Sequence, residues 1–184
     1  MTVKTYELVE NGKGVSYRED LGDVGLSFTC LRYTCELENT EYDFNNLGFA
    51  GISTNFPYCV GGILRGEKEN YKENFVRVVT ANNKEVELDL VPLIPIPKNK
   101  IKIIKHQFLS KDFPLGAGEE LSPDEVAIVK LKFTGTNNTQ NELTHEINFI
   151  ESKEIDQKIV DKDMIELLAF ADFDYHVEIN LLNE

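Results

Sequence analysis

The chain has 184 residues, of which 41% are hydrophobic and 10% aromatic. These are enough apolar side chains for the core of one large domain or of two domains of about 90 residues each. Its formal net charge of −13 argues against a general nucleic-acid binder or a partner of anionic lipid, because both need clustered Lys and Arg. No stretch approaches the roughly 18 apolar residues of a membrane span, and residues 1–5 lack the apolar region of a signal peptide, so we expect no membrane insertion of this segment.

Apolar and polar residues alternate with a period of two along most of the chain, the pattern of strands with one buried and one wet face. The clearest runs lie, in chain order, at residues 24–30, 86–90, 126–133 and 177–181, with further strand-like runs at 6–9, 60–65, 75–80, 101–107, 144–150 and 164–170. Clusters rich in Asn and Gly between these runs are typical of turns. The sequence therefore predicts an all-β fold.

Two cysteines bracket a long loop early in the chain. A disulfide between Cys35 and Cys59 would close about 24 residues and stabilise the fold by roughly 3–4 kcal/mol. Two unpaired buried thiols, or a redox or metal-binding pair, are the alternatives. An unbroken strand would turn Cys30 to the opposite side, so Cys30 is predicted as a buried free thiol and the bridge as Cys35–Cys59.

A proline-rich segment marks the clearest seam. Its three prolines remove backbone donors and favour a stiff, extended conformation, and alternating patterns lie on both sides of it. We therefore predict two tandem small β-sandwich domains, residues 1–91 and 99–184, joined by a Pro-rich linker at 92–98. A single two-layer sandwich with this segment crossing its edge is the alternative.

Helix signals are few, so we expect at most one or two short helices. Ser122-Pro123-Asp124-Glu125 resembles a helix start, with Ser at the N-cap, Pro next and Glu three residues after the cap. Because alternation begins at once after it, we predict a single turn that feeds a strand. Residues 154–170 have partly helical spacing, and a short helix there is an alternative to the strand.

The residues around the cysteines carry a family pattern. Phe28-Thr29-Cys30 leads to Tyr33-Thr34-Cys35, then to Asn55-Phe56-Pro57-Tyr58-Cys59-Val60-Gly61-Gly62 and a strand closing on Lys68-Glu69-Asn70-Tyr71. Over about residues 4–92 the chain resembles the transthyretin-like β-sandwich modules, similar to carboxypeptidase-regulatory and PEGA-type domains, of predicted archaeal cell-surface proteins. Asn70 replaces the family's Gly and also tolerates a left-handed turn. The resemblance implies a non-enzymatic, extracytoplasmic module without active-site residues.

Other chemistry is sparse. Asp172 and Asp174 would share one side of a strand and are weak calcium candidates, although no acidic cluster matches an EF-hand loop. The cysteines and histidines lack zinc spacing, and neither a Gly-x-Ser-x-Gly motif nor a Ser/His/Asp order is present. We therefore predict no catalytic residues, no enzyme activity and no cofactor. Asn137 begins an N-glycosylation sequon.

Aromatic residues are dense in and beside the loop at 39–57; the candidates for a contact surface are Tyr42, Phe44, Phe49, Phe56 and Tyr58. Packing on their own domain is the alternative. We predict a non-enzymatic, extracellular structural or adhesion module, a fragment of a larger cell-surface or virion-like protein that binds protein partners or self-assembles. A carbohydrate- or small-ligand-binding module, with or without calcium, and a cytoplasmic location with reduced thiols are the alternatives.

Overall fold

The computed structural model is all-β, as the alternation predicts, and it describes residues 1–11, 15–46, 48–82, 84–106, 116–133, 145–152, 164–169 and 174–183. Within these ranges it has fifteen strands and two one-turn 3-10 helices, Phe44–Asn46 and Lys98–Lys100. The chain divides into two compact units, one of Met1–Ile94 with Leu168–Ala171 and one of Pro95–Leu167 with Asp172–Glu184.

The first nine strands follow one another from the start of the chain. They are β1 (Thr2–Asn11), β2 (Val15–Asp20), β3 (Gly25–Cys30), β4 (Tyr33–Glu36), β5 (Gly51–Ser53), β6 (Gly62–Glu67), β7 (Tyr71–Lys72), β8 (Asn74–Val78) and β9 (Glu85–Pro97). The runs predicted at 24–30 and 86–90 correspond to β3 and to the first half of β9.

One sheet of the first unit is centred on β1. Along one edge β1 pairs in parallel with β9, from Thr2 opposite Glu85 to Glu7 opposite Leu90. Along its other edge it pairs antiparallel with β5 through its first residues and with β2 through its later ones. The short β7 adds to β9. Every part of β1 that pairs with β9 is therefore close to a second neighbour, which is typical of a central strand.

The second sheet has the strand order β4-β3-β6-β8 and is antiparallel throughout. Its inward residues alternate along β3 and β6, and they pack with inward residues of β1 and β9 into one buried cluster. Phe28, Leu64 and Leu88 are each at most 1% exposed in this cluster. The first unit is thus a two-layer β arrangement with a shared core.

The proline-rich segment is part of a strand. Residues 92–97, predicted as linker, form the second half of β9, and the division between the two units falls inside this strand, after Ile94. The backbone is extended, as the prolines favour, but it is not separate from the preceding strand. The division into tandem sandwiches with a linker stays a prediction.

The second unit holds the remaining strands. They are β10 (Ile104–His106), β11 (Gly118–Glu120), β12 (Glu125–Phe133), β13 (Glu146–Ser152), β14 (Met164–Leu168) and β15 (Tyr175–Asn183). In the order β13-β12-β15, three of them form an antiparallel sheet. Val129 and Phe149 on one face of this sheet are buried with Ile165 of β14, and half-buried Ile101 and Ile103 pack against them.

The structure shows a turn or a strand, and no helix, at the described residues of both segments with helix signals. Glu125 Oε2 accepts a hydrogen bond from the Ser122 amide at 2.6 Å, and the Glu125 amide donates to the Ser122 carbonyl at 3.1 Å. The capping interaction therefore forms, and the chain continues as β12, which confirms the single turn feeding a strand. Residues 164–168 are a strand and not a helix; residues 154–163 lie outside the described residues.

Candidate functional site

A disulfide pins one end of the first unit. Cys30, the last residue of β3, is bonded to Cys59, with 6.0 Å between their Cα atoms. Cys59 is buried and its amide donates to Thr80 Oγ1 at 2.8 Å, while the Thr80 amide donates to the Cys59 carbonyl at 3.1 Å. The bridge thus joins the end of β3 to a segment already tied to the residues after β8.

The predicted Cys35–Cys59 bridge is wrong, and Cys35 is an exposed free thiol. The chain turns back at Leu31 and Arg32, so β4 runs beside β3 with Cys35 opposite Phe28 and Tyr33 opposite Cys30. This hairpin places Cys35 on the far side of β3 from β6, the strand that follows Cys59. Neighbouring strands lie about 4.8 Å apart, so a residue two strands away exceeds the Cα separation of a disulfide.

Gly62, near the bridge, makes room for a buried aromatic ring. A Cβ atom on Gly62 would lie 2.5 Å from the Phe28 ring and 3.4 Å from Cys59 Sγ. Phe28 is itself held by an edge-to-face contact with Phe56, with ring centroids 5.1 Å apart. Only glycine leaves room for the Phe28 ring at this position, whereas the distance to the sulfur is an ordinary contact.

Large exposed apolar side chains surround the disulfide. Their exposed fractions are 90% for Leu31, 64% for Tyr33, 77% for Tyr58 and 67% for Val60. Each is next to a bridged cysteine in sequence or, for Tyr33, opposite one in the β3–β4 register. We call these four residues the disulfide-end cluster. The bridge holds their two parent segments together, so they occupy one end of the unit.

The turn that carries Leu31 is conformationally unfavourable. Leu31 has φ of +55°, a region that leucine rarely adopts and that glycine or asparagine fills at lower cost. Beside it, the Arg32 guanidinium lies 5.3 Å from the centre of the Tyr33 ring, and its Nη2 donates to Tyr33 Oη at 3.3 Å. The hairpin tip therefore presents an apolar, an aromatic and a cationic side chain to solvent.

The five aromatic residues predicted as a contact surface have different environments. Phe56 packs on the core through Phe28, and Phe44 and Phe49 pair with each other at 6.0 Å between ring centres. The Lys4 ammonium lies 4.7 Å from the centre of the Phe49 ring.

Tyr42 and Tyr58 are the two exposed members of the five, at 61% and 77%. Tyr42 lies over Gly22, where any added Cβ would meet its ring. The loop aromatics are thus divided between packing and exposure. Leu31, Tyr33 and Val60 were missed, because alternation predicts strand faces and does not show which hairpin tips stay uncovered.

The outward face of the β1 sheet is organised by ion pairs. Arg18 Nη1 lies 2.7 Å from Glu87 Oε2, and its Nη2 lies 2.6 Å from Asp89 Oδ2. The hydrogen bond that Arg18 donates to Asp89 is the main cause that raises the pKa of Arg18. On the opposite, core-facing side of β1, where Glu7 lies beside buried Leu90, Tyr71 Oη donates to Glu7 Oε2 at 2.8 Å, and burial, followed by this bond, raises the pKa of Tyr71 to about 12. The Arg18 ion pairs join β2 to β9 and give these charges of the outward face a structural role.

The predicted metal and modification sites are only partly covered. Asp174 is exposed, while Asp172 and Asn137 lie outside the described residues. In the described ranges, no three His, Cys, Asp or Glu side chains are grouped so that they could hold a metal ion. No helix in the part of the chain that the structure describes has the length and apolar character needed to cross a membrane.

Comparisons with known proteins return no relative. No family model, no curated protein and no solved structure matches the chain. The resemblance to transthyretin-like modules therefore stays a prediction.

Proposed function

We propose that this chain is a non-enzymatic structural module that binds other proteins of an extracellular assembly through the disulfide-end cluster. The observation that carries the proposal is the exposure of Leu31, Tyr33, Tyr58 and Val60, each above 60%, around one disulfide. Single exposed apolar residues are ordinary, but a group fixed at one place is typical of interaction sites.

The composition of the cluster supports a protein partner. Tyrosine and arginine are enriched among residues that dominate binding energy, because they bury a large area with few rotatable bonds or donate several hydrogen bonds. Tyr33 and Tyr58 are the tyrosines of the cluster, and Arg32 lies next to it at the hairpin tip. A disulfide beneath them lowers the entropy lost when the surface is immobilised by a partner.

The backbone conformation and the exposure of Leu31 also support the proposal. A leucine with φ of +55° destabilises the folded chain through backbone strain, and at 90% exposure its side chain gains almost no burial energy on folding. Strained residues that are also exposed are a reason to expect a function in binding. A partner that covers Leu31 would supply the apolar burial that folding alone does not.

The extracellular setting rests on the bridge. Disulfides persist in oxidising compartments and are rare where thiols are kept reduced, so Cys30–Cys59 favours a location outside the cytoplasm. The surplus of 13 negative charges keeps such a surface soluble.

Site-specific photo-crosslinking on intact producing cells tests the proposal. A benzophenone amino acid replaces Tyr58 in one variant and Tyr33 in another, and Tyr17 of β2, 43% exposed, serves as the matched control. We expect protein adducts at positions 58 and 33 but not at 17, and digestion of the protein by protease added outside the cells. Equal adducts at all three positions, or none at 58 and 33, would refute the contact surface. Full protection from the protease would refute the extracellular setting.

A further inference from the structure

The C-terminal strand carries an apolar row that stays half exposed. In the β12–β15 register, Val177 lies opposite Leu131, Ile179 opposite Val129 and Leu181 opposite Ala127. Directly opposite residues of an antiparallel pair point to the same face, so this row shares the face that buries Val129. Ala127 and Val129 are at most 3% exposed, whereas Val177, Ile179 and Leu181 are 52%, 49% and 43% exposed.

This exposure conflicts with the sequence pattern. Strict alternation of Val177, Ile179 and Leu181 with polar residues predicts a strand whose apolar face is covered. Ile165 covers the same face at β12 and β13, but within the described residues it does not extend to burying the row on β15. When local pattern and burial disagree at one element, a missing partner is a physical explanation.

The outer edge of β15 is also suited to pairing. In the part of the chain that the structure describes, β12 is the only strand that pairs with β15. Over its nine residues, Tyr175–Asn183, β15 contains no proline or lysine, the residues that most commonly block addition of a strand to an edge, and Glu178 is its only carboxylate. A second strand could therefore continue the sheet by backbone hydrogen bonds, and its apolar side chains could extend the exposed row.

The structure assigns this edge to a second copy of the same chain, through antiparallel pairing of β15 with β15. A two-fold axis at Ile179, the middle residue of the strand, pairs all nine residues. In this register Ile179 faces Ile179 of the partner, Val177 faces Leu181, and Glu178 faces Asn180. The apolar row thus becomes continuous across both copies, and an amide lies opposite each carboxylate.

Charge favours this register over the two registers shifted by one residue. Moving the axis one residue towards the start of the strand places Glu178 opposite Glu178, and like charges directly opposite each other are destabilising. Moving it one residue the other way leaves two fewer residues paired at each strand and places Glu178 opposite the apolar Leu182. The central register is favoured by both overlap and charge. The interface is in the second unit and is independent of the disulfide-end cluster.

The self-association is tested by sedimentation equilibrium of the full chain. We expect a mass that rises with concentration from 20.9 kDa towards twice that value. Ile179→Lys places two ammonium groups opposite each other and should raise the dimer Kd by about 100-fold or more. Ile150→Lys is the matched control, because Ile150 is 53% exposed on β13, at the other edge of the same sheet. It should leave the Kd within about threefold.

A mixing experiment tests the register itself. Val177→Lys and Leu181→Glu should each dimerise weakly alone, since each new charge faces an apolar partner. Mixed, they should form a heterodimer in which the introduced ammonium group of one copy faces the introduced carboxylate of the other. The affinity of this heterodimer should exceed that of either homodimer at least tenfold.

Four outcomes would overturn the proposal. They are a monomer at all concentrations up to about 1 mM, an unchanged Kd in Ile179→Lys, an equal loss of affinity in Ile150→Lys, and no recovery on mixing. Unfolding of Ile179→Lys at ambient temperature would also count against it, because it would show that the row is packed within one chain.

Discussion

Removing the Cys30–Cys59 bridge should unfold the first unit at a much lower temperature. The bridge closes a loop of 29 residues, and in the chain-entropy model a loop of this length restricts the unfolded chain by about 3.5 kcal/mol at 25 °C. For a unit of about 100 residues, each kcal/mol corresponds to a shift in Tm of about 4–8 °C. The double substitution Cys30→Ala with Cys59→Ala should therefore lower the Tm of the first unit by roughly 14–28 °C.

Scanning calorimetry checks this expectation, with Cys35→Ser as the matched control. Cys35 is exposed and unbridged, so its substitution should change the Tm by less than about 2 °C. Any transition that belongs to the second unit, which contains no cysteine, should stay unchanged.

Two results would refute the reasoning. One is non-reducing peptide mapping of air-oxidised protein that finds Cys35 bridged or all three thiols free. The other is an equal loss of stability in Cys35→Ser and in the double substitution, which would show that the bridge between Cys30 and Cys59 is not the stabilising feature.

The remaining predictions concern two other contacts and the proteolysis of the chain. Gly62→Ala should destabilise the first unit by about 1–3 kcal/mol in urea unfolding, because the new Cβ would overlap the buried Phe28 ring. Tyr71→Phe should remove a phenol that titrates at about pH 12 from the absorbance titration. Burial and the hydrogen bond to Glu7 raise the folded pKa of Tyr71 from 10.0 to about 12, so the stability linked to its protonated form is fully present below pH 10 and is lost as the pH rises to about 12. Limited trypsin digestion should cut at residues 98–102 and release two folded pieces.

Each of these has a contradicting result and, where the chain offers one, a control. Gly25→Ala, whose Cβ would make an ordinary 3.5 Å contact, should cost less than Gly62→Ala, and the reverse order would be inconsistent with the packing described. A constant stability difference between wild type and Tyr71→Phe from pH 9 to 12 would exclude the titration of Tyr71 as its cause. Digestion without a stable fragment would count against two separately folding units.

Strand positions were largely predictable because alternation has a direct physical cause. Residues 24–30 and 86–90 alternate since each strand buries one face in the same core, and both are strands in the structure. The turn at Ser122 was also predictable, because the Glu125 side chain accepts the hydrogen bond of the Ser122 amide whether a helix or a strand follows.

The disulfide partner was not predictable because the hairpin at Leu31 lacks the usual turn residues. With no Gly, Asn or Asp at its two turn positions, the sequence contains no signal that the chain reverses after Cys30. The prediction for Cys35 assumed an unbroken strand. Because the chain reverses after Cys30, Cys30 is the bridged cysteine and Cys35 is the free one.

The exposed surfaces also could not be predicted from the alternation of apolar and polar residues. Alternation shows that Val177, Ile179 and Leu181 share a face, but it cannot show that neighbouring strands stop short of covering it. Loop aromatics are similarly ambiguous, since Phe56 and Tyr58 are two residues apart, and one packs on the core while the other is exposed. Long-range packing decides both cases.

The central place of β1 has a consequence for how the protein is made. Thr2 pairs with Glu85, 83 residues later, so β1 leaves the ribosome without its partner along one edge until β9 follows. At a synthesis rate of about 5–20 residues per second, that interval is on the order of 4–17 s. During this time β1 presents unpaired backbone groups and the apolar Val3, so a nascent-chain chaperone that shields extended segments should raise the yield of folded protein. Parallel pairing across so long a separation should also make refolding slow, in the range of milliseconds to seconds.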